Sequence, residues 1–149
     1  MNRIAKSRLV FLSVAVAFGL AASTVAPKLR ADDANKASQL ARDLIGTWVL
    51  AGTPDKPEDP PAKGGRLKFF TGKSWCITQA DAQDGKVIFH HGGTYTLDGD
   101  KMAETIEYAN ENTSTYIGKT HSFTIKVEGD TYTQIGKDNE FTELWKRVK

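Results

Sequence analysis

The sequence has a single cysteine, Cys76, and only three histidines among its 149 residues. One cysteine excludes an intramolecular disulfide. Neither Cys-x-x-Cys nor His-x-His spacing occurs, so we expect no metal site and no cofactor. Neighbouring strand residues point to opposite faces, so at most one of His90 and His91 faces inward. We interpret both as exposed turn residues.

The chain also has little excess of basic charge, with 20 basic and 18 acidic residues and a net charge of +2. Five of the basic residues and none of the acidic ones lie in residues 1–31, which leaves residues 32–149 with a net charge of −3. This part therefore lacks the net basic character that attracts nucleic acid phosphates. We expect no nucleic acid partner.

A long apolar run lies near the N-terminus, where "MNRIAKSR" is followed by "LVFLSVAVAFGLAAS". A basic segment, a short apolar stretch and small residues are typical of a secretory signal peptide. We predict a signal peptide over residues 1–31, with cleavage between residues 23 and 31, and a secreted or periplasmic domain over residues 32–149. The alternative is an uncleaved anchor, since residues 9–26 are near the lower limit for a membrane span.

Four of the five prolines lie within residues 54–61. Proline lacks a backbone N–H and has a fixed φ angle, so this segment is a stiff loop rather than a strand. It is either a fixed lid across one end of the domain or a solvated spacer.

The stretch "ADDANKASQLARDLIG" has apolar residues three and four positions apart, which predicts a short helix ended by Gly46. After Gly46, short alternating segments are separated by turn residues. Gly92 and Gly93 interrupt the fourth segment, which indicates a bulge or a sharp bend. The predicted strands cover residues 47–51, 66–70, 74–80, 87–97, 101–109, 120–127, 131–136 and 141–148.

Tight turns without intervening helices favour sequential antiparallel pairing of these eight strands. A meander of this length leaves two exposed edges unless it closes on itself. The predicted fold is therefore all-β, an eight-stranded antiparallel up-and-down barrel with a short N-terminal helix. A two-sheet sandwich is the structural competitor.

The Gly46-x-Trp48 motif on the first strand, preceded by a short helix, resembles the lipocalin and calycin pattern. The family's arginine near the last strand matches Arg147 in "ELWKRVK". Over residues 44–149 the layout is similar to small bacterial exported lipocalin-like domains of unassigned function. The resemblance implies that Arg147 packs across Trp48 at the closed end of the barrel. It also implies that the interior binds a small lipophilic or amphipathic molecule.

Strand alternation predicts which side chains face inward. His121 shares a face with Phe123, and Glu104 shares a face with Met102. We expect Glu104 and His121 to lie near each other, because their strands are neighbours, and to orient the polar end of a ligand. The predicted lining consists of Phe69, Trp75, Tyr95, Met102, Glu104, Tyr108, His121, Phe123 and Tyr132.

Three functions fit these residues. The first is binding of a small, partly apolar ligand without chemistry. The second is a filled barrel that acts as a structural or protein-interaction module of the cell envelope, in which the polar residues form a satisfied network. The third is an enzyme that uses Glu104 and His121, although no nucleophile or cofactor motif accompanies them. We expect the first, and the sequence leaves the oligomeric state open.

Overall fold

The computed structural model describes residues 31–149. Apart from residue 31, the predicted signal peptide lies outside the described residues. Within them, no helix is both long enough and apolar enough to cross a membrane.

One α-helix, α1, precedes ten strands, eight of which are long. The helix spans Ala31–Leu44, and a 3-10 helix follows the seventh strand at Glu111–Tyr116. The strands are β1 (Gly46–Leu50), β2 (Gly52–Thr53), β3 (Lys56–Pro57), β4 (Arg66–Phe70), β5 (Ser74–Ala80), β6 (Val87–Asp98), β7 (Lys101–Ala109), β8 (Thr120–Glu128), β9 (Thr131–Lys137) and β10 (Glu143–Arg147).

The eight long strands form a closed antiparallel barrel in the order β1-β10-β9-β8-β7-β6-β5-β4. Closure comes from β1, which pairs with β4 on one side and with β10 on the other. All other neighbours are consecutive in the chain, so the topology is up-and-down. The predicted fold is confirmed, and the sandwich alternative is wrong.

Antiparallel order assigns each connection to one end of the barrel. The α1–β1 junction and the turns after β4, β6 and β8 lie at one end, which we call the closed end. The β1–β4 connection, the 3-10 helix and the turns after β5 and β9 lie at the other, which we call the open end.

At the closed end, the guanidinium of Arg147 lies over the ring of the fully buried Trp48, with Cζ 4.1 Å from the ring centroid. Its Nη1 and Nη2 donate to the carbonyl oxygens of Ile45 (3.0 Å) and Asp43 (2.6 Å). The Trp48 indole N–H donates to the carbonyl of Leu44. One side chain thus ties the helix end to both strands that close the barrel.

Gly46 is required at this junction rather than merely ending the helix, which stops at Leu44. Its φ is +140°, and a Cβ at this position would lie 2.7 Å from Nη1 of Arg147. A larger residue would therefore be strained and would displace the arginine.

A β-bulge interrupts the β6–β7 pairing beside the two glycines, as the sequence indicated. Gly92 lies opposite Tyr108, and Gly93 lies opposite Ile106, so Glu107 has no partner across the pair. An extra residue in one strand exchanges the two faces beyond it. Ile106 therefore points inward, whereas Tyr108, two residues later, points outward and is 45% exposed.

Candidate functional site

Towards the closed end, the barrel interior is tightly packed. Trp48 and Phe70 both contact Tyr132, with ring centroids 5.5 and 5.7 Å apart, and Phe70 also contacts Tyr95. The buried side chains of this packed part are Leu44, Trp48, Phe70, Met102, Ile125, Tyr132 and Trp145. These side chains are at most 3% exposed, which is typical of a closely packed interior.

Towards the open end, the interior contains a partly open cavity of about 230 Å³. Ligand cavities for drug-sized molecules are usually larger, about 300–1,000 Å³. Five aromatic side chains form much of the wall: Trp75, Phe89, Tyr116, Phe123 and Phe141. Ile77 completes the apolar surface, and the polar lining residues are Arg66, Lys68, His91, Glu104, His121, Gln134 and Glu143.

The deepest polar feature of the cavity is an ion pair between Lys68 and Glu104. Lys68 Nζ lies 2.6 Å from Glu104 Oε1, and the two side chains are 2% and 3% exposed. Lys68 Nζ is also 5.1 Å from the centre of the Trp75 ring. Each charge is compensated by the other, so removing one partner would leave a buried charge alone.

Gln134 connects this pair to the mouth of the cavity. Its Oε1 accepts hydrogen bonds from Lys68 Nζ (2.8 Å) and from the Tyr132 hydroxyl (2.9 Å). Its Nε2 donates to Oε2 of Glu143 at 2.9 Å. Arg66 follows, with Nη1 3.6 Å from Glu143 Oε1. Two cations and two anions thus alternate along one continuous network, which fixes the side chains that it joins.

Burial shifts the protonation of the two carboxylates in this network. It raises the pKa of Glu104 above its ordinary value, and the charge of Lys68 opposes this shift. Burial likewise raises the pKa of Glu143, against the opposing charges of Lys68 and Arg66. Desolvation disfavours the charged form of a carboxyl group, and a nearby cation restores it.

His91 is the other buried polar side chain of the cavity. It is 6% exposed, and its ring lies edge-on to Trp75, Phe89 and Tyr116. Its Nδ1 is buried and has no hydrogen-bond partner among residues 31–149. Burial, with the charge of Lys68 as the next cause, lowers the pKa of His91 to about 4. At neutral pH the ring is therefore uncharged.

The prediction that His90 and His91 are exposed turn residues is wrong. Both lie within the long strand β6, and His91 faces the cavity. His90 points outward and lies beside Tyr108.

Glu104 and His121 are directly opposite each other on β7 and β8, and both line the cavity. The ionic partner of Glu104 is nevertheless Lys68. His121 packs against Tyr116 and Phe141, and burial lowers its pKa. The two residues that the sequence singled out thus share the cavity but belong to different contacts within it.

The structure brings four of the nine predicted lining residues to the cavity: Trp75, Glu104, His121 and Phe123. Tyr95, Met102 and Tyr132 belong to the core outside the cavity, where they fill the interior. The predictions for Phe69 and Tyr108 are wrong. Phe69 lies between the inward-facing Lys68 and Phe70, and so faces outward. Tyr108 follows the bulge, which reverses the alternation.

The sequence did not predict the other nine lining residues, and Lys68 and His91 are the most deeply buried polar ones among them apart from Gln134. In "RLKFF" both alternating sets contain apolar residues, and placing Leu67 and Phe69 inward would have kept both charges outside. The sequence nevertheless contained an indication of this arrangement, because a buried glutamate such as Glu104 needs a cation nearby. On β4, the two cations Arg66 and Lys68 share one face with Phe70.

The mouth of the cavity is bordered by the 3-10 helix and not by the proline-rich connection. Tyr116, at the end of this helix, lines the cavity, and Thr113 anchors the helix by donating to the carbonyl of His90. Residues 51–65 contribute no cavity lining. Among the described residues, no three His, Cys, Asp or Glu side chains are grouped so as to hold a metal ion.

A solved structure shares this architecture. A lipocalin-like protein from Bacteroides uniformis superposes with a TM-score of 0.52 at 18% identity, covering 71% of this chain and 99% of that one. The fold is lipocalin-like. An uncharacterized protein from Bacteroides eggerthii superposes with a TM-score of 0.49 at 11% identity, covering 70% of this chain and 99% of that one. No family model matches the sequence, and no curated protein matches it either.

Proposed function

We propose that this lipocalin-like protein binds a small, partly apolar molecule in the open half of its barrel and releases it unchanged. One observation carries the proposal: the interior is packed at the closed end but hollow at the open end. Aromatic walls with a few fixed polar groups are the usual composition of a small-molecule site. The second function considered from the sequence, a filled barrel, would need the interior at the open end to be packed as well.

The polar groups of the cavity favour binding over catalysis. Glu104 is held by Lys68, and Glu143 is held by Gln134 and Arg66. These contacts fix groups that could orient a ligand, and they occupy the carboxylate that the enzyme hypothesis would use as a base. We further propose that binding takes place outside the cytoplasm, because the N-terminal sequence predicts export.

Filling the cavity tests the proposal. Ile77→Phe places a larger side chain in the cavity, whereas Thr78→Phe places the same ring on the outer face, one residue along the same strand. We expect the dissociation constant of a small environment-sensitive dye to rise roughly tenfold or more in Ile77→Phe and to stay unchanged in Thr78→Phe. Native mass spectrometry of the wild-type protein would look for a co-purified molecule.

Two results would oppose the proposal. One is a wild-type protein that neither carries an adduct nor binds the dye. The other is dye binding that Ile77→Phe leaves intact, since the dye would then sit elsewhere on the surface. Thermal unfolding of both variants confirms that they are folded before they are compared.

A further inference from the structure

We propose that the ligand of this cavity is an uncharged aromatic molecule with a hydroxyl group, and that His91 recognises the hydroxyl. This inference rests on the proposed function and specifies its ligand class. Three features of the cavity support it, namely its balanced charge, its aromatic wall and the unpaired nitrogen of His91.

The charges that face the cavity already neutralise one another. Lys68 is 2.6 Å from Glu104, and Arg66 is 3.6 Å from Glu143. Both lining histidines have lowered pKa values, that of His91 being about 4, so they add no charge at neutral pH. A charged ligand would lose its hydration without gaining an unpaired counter-ion. The cavity therefore favours an uncharged ligand.

The wall favours a flat ring. His91 contacts Trp75, Phe89 and Tyr116 edge-on, with ring centroids 5.5, 4.8 and 5.7 Å away. Aromatic rings prefer such edge-to-face or offset arrangements to other packings. A ligand ring in the cavity would make the same edge-to-face contacts with these aromatic side chains. The cavity volume of about 230 Å³ suits a molecule with a single ring.

His91 supplies the hydrogen bond. It lines the cavity, and its side chain has no hydrogen-bond partner in the described part of the chain. Its Nδ1 is fully covered, which leaves Nε2 as the nitrogen that a ligand can reach. Lys68, Gln134 and Glu143, by contrast, are already held by one another. An unpaired buried polar atom is costly, and a neutral imidazole can both donate and accept. A hydroxyl can do the same, so it matches Nε2 in either tautomer.

The competing ligand is an anion held at the mouth. Arg66 is the more exposed of the two cations, at 29% of its side chain, and its ion pair with Glu143 is the longer one. A carboxylate that displaced Glu143 from Arg66 would reverse the charge preference. The experiment must therefore compare charge states of one ring.

Isothermal titration of the purified protein with four single-ring probes makes this comparison: benzyl alcohol, toluene, benzoate and benzylamine. We expect benzyl alcohol to bind roughly three- to tenfold more tightly than toluene, the usual effect of one hydrogen bond. Benzoate and benzylamine should bind more weakly than benzyl alcohol. In His91→Phe the preference for benzyl alcohol over toluene should disappear. His90→Phe, which changes the neighbouring outward-facing histidine, should keep it.

Each result has a separate meaning. Tightest binding of benzoate or benzylamine overturns the inference, and so does an alcohol preference that survives in His91→Phe. Either outcome leaves the proposed function intact, because the probes still bind the cavity. Failure of all four probes argues against the proposed function itself. Should His91→Phe not fold, His91→Leu takes its place in the same comparison of benzyl alcohol with toluene.

Discussion

Lys68 shows how one side chain can determine the character of a barrel interior. Its side chain is 2% exposed, and its amine contacts both Glu104 and Gln134. A lysine at this depth is stable only because its partner is equally buried and the geometry is close. The pair is therefore a structural unit of which neither member is replaceable alone.

Replacing Lys68 by Met should cost about 3–5 kcal/mol of unfolding free energy at pH 7, because Glu104 would remain buried without its counter-ion. The double variant Lys68→Met/Glu104→Leu should lose much less than the two single losses combined. Urea unfolding of the four proteins measures this coupling. Lys126→Met, at an exposed pair with Glu128, should change stability very little.

The pH dependence of Lys68→Met separates a lost ion pair from lost packing. Without Lys68, burial and the charge of Glu143 would act on Glu104 unopposed, and its pKa in the folded state would lie further above the unfolded value. The folded state then binds more protons than the unfolded state, so stability rises as the pH falls. The deficit against wild type should shrink between pH 7 and pH 5. A deficit independent of pH, or additive single losses, would contradict the ion-pair account.

At the scale of elements, the bulge between β6 and β7 decides which residues enter the cavity. It leaves Glu107 unpaired and directs Tyr108 outward. After the bulge, the side chains of β7 therefore no longer follow the inward and outward alternation of the residues before it. Gly93 permits this because β7 passes very close to it. A Cβ there would overlap the carbonyl oxygen of Thr105 and lie 2.8 Å from the backbone nitrogen of Glu107.

Gly93→Ala should therefore destabilise the protein by about 3 kcal/mol, because backbone atoms cannot move aside as side chains do. Gly129→Ala is the comparison, with open space around the added methyl group and only its φ of +57° as an obstacle. This change should cost about 1 kcal/mol. Chemical denaturation of both variants gives the values, and equal costs would show that the close approach is not the constraint.

At the scale of the whole molecule, the barrel is divided into a packed part and a hollow part. Ile106 and Ile77 make the division testable, because they are the same residue type and nearly equally buried, at 0% and 5% exposure. Ile77 lines the cavity, whereas Ile106 belongs to the core and does not line the cavity. They differ chiefly in what surrounds them.

Ile106→Ala should cost about 3–5 kcal/mol, near the upper end for buried aliphatic truncations, since it opens a new void. Ile77→Ala should cost about 1–2 kcal/mol less, because one side of this residue already lacks contacts that could be lost. Differential scanning calorimetry or urea unfolding measures the difference. If Ile77→Ala proved the more costly change, the cavity would not be the loosely packed region described above.

Periodicity and turn residues in the sequence were sufficient for the eight barrel strands, the short helix and the closure of the barrel. They did not predict the short β2–β3 pair, in which Pro57 lies opposite Gly52 in a segment that was expected to be a loop without strands. Alternation and tight turns are local properties, and closure follows from the cost of open edges. They also directed Trp75, Glu104, His121 and Phe123 inward, where the alternation is uninterrupted. Gly92 and Gly93 marked the place of the bulge, although they could not show which strand carries the extra residue.

The tertiary structure alone decided what the interior contains. Lys68 faces inward and Phe69 faces outward, contrary to expectation, because the register of β4 against β1 and β5 determines which face of β4 is buried. His91 became a cavity residue because its strand continues through the two glycines. Whether an eight-stranded barrel is filled or hollow depends on how side chains from all its strands meet at the axis, a sum of distant contacts that no local pattern encodes.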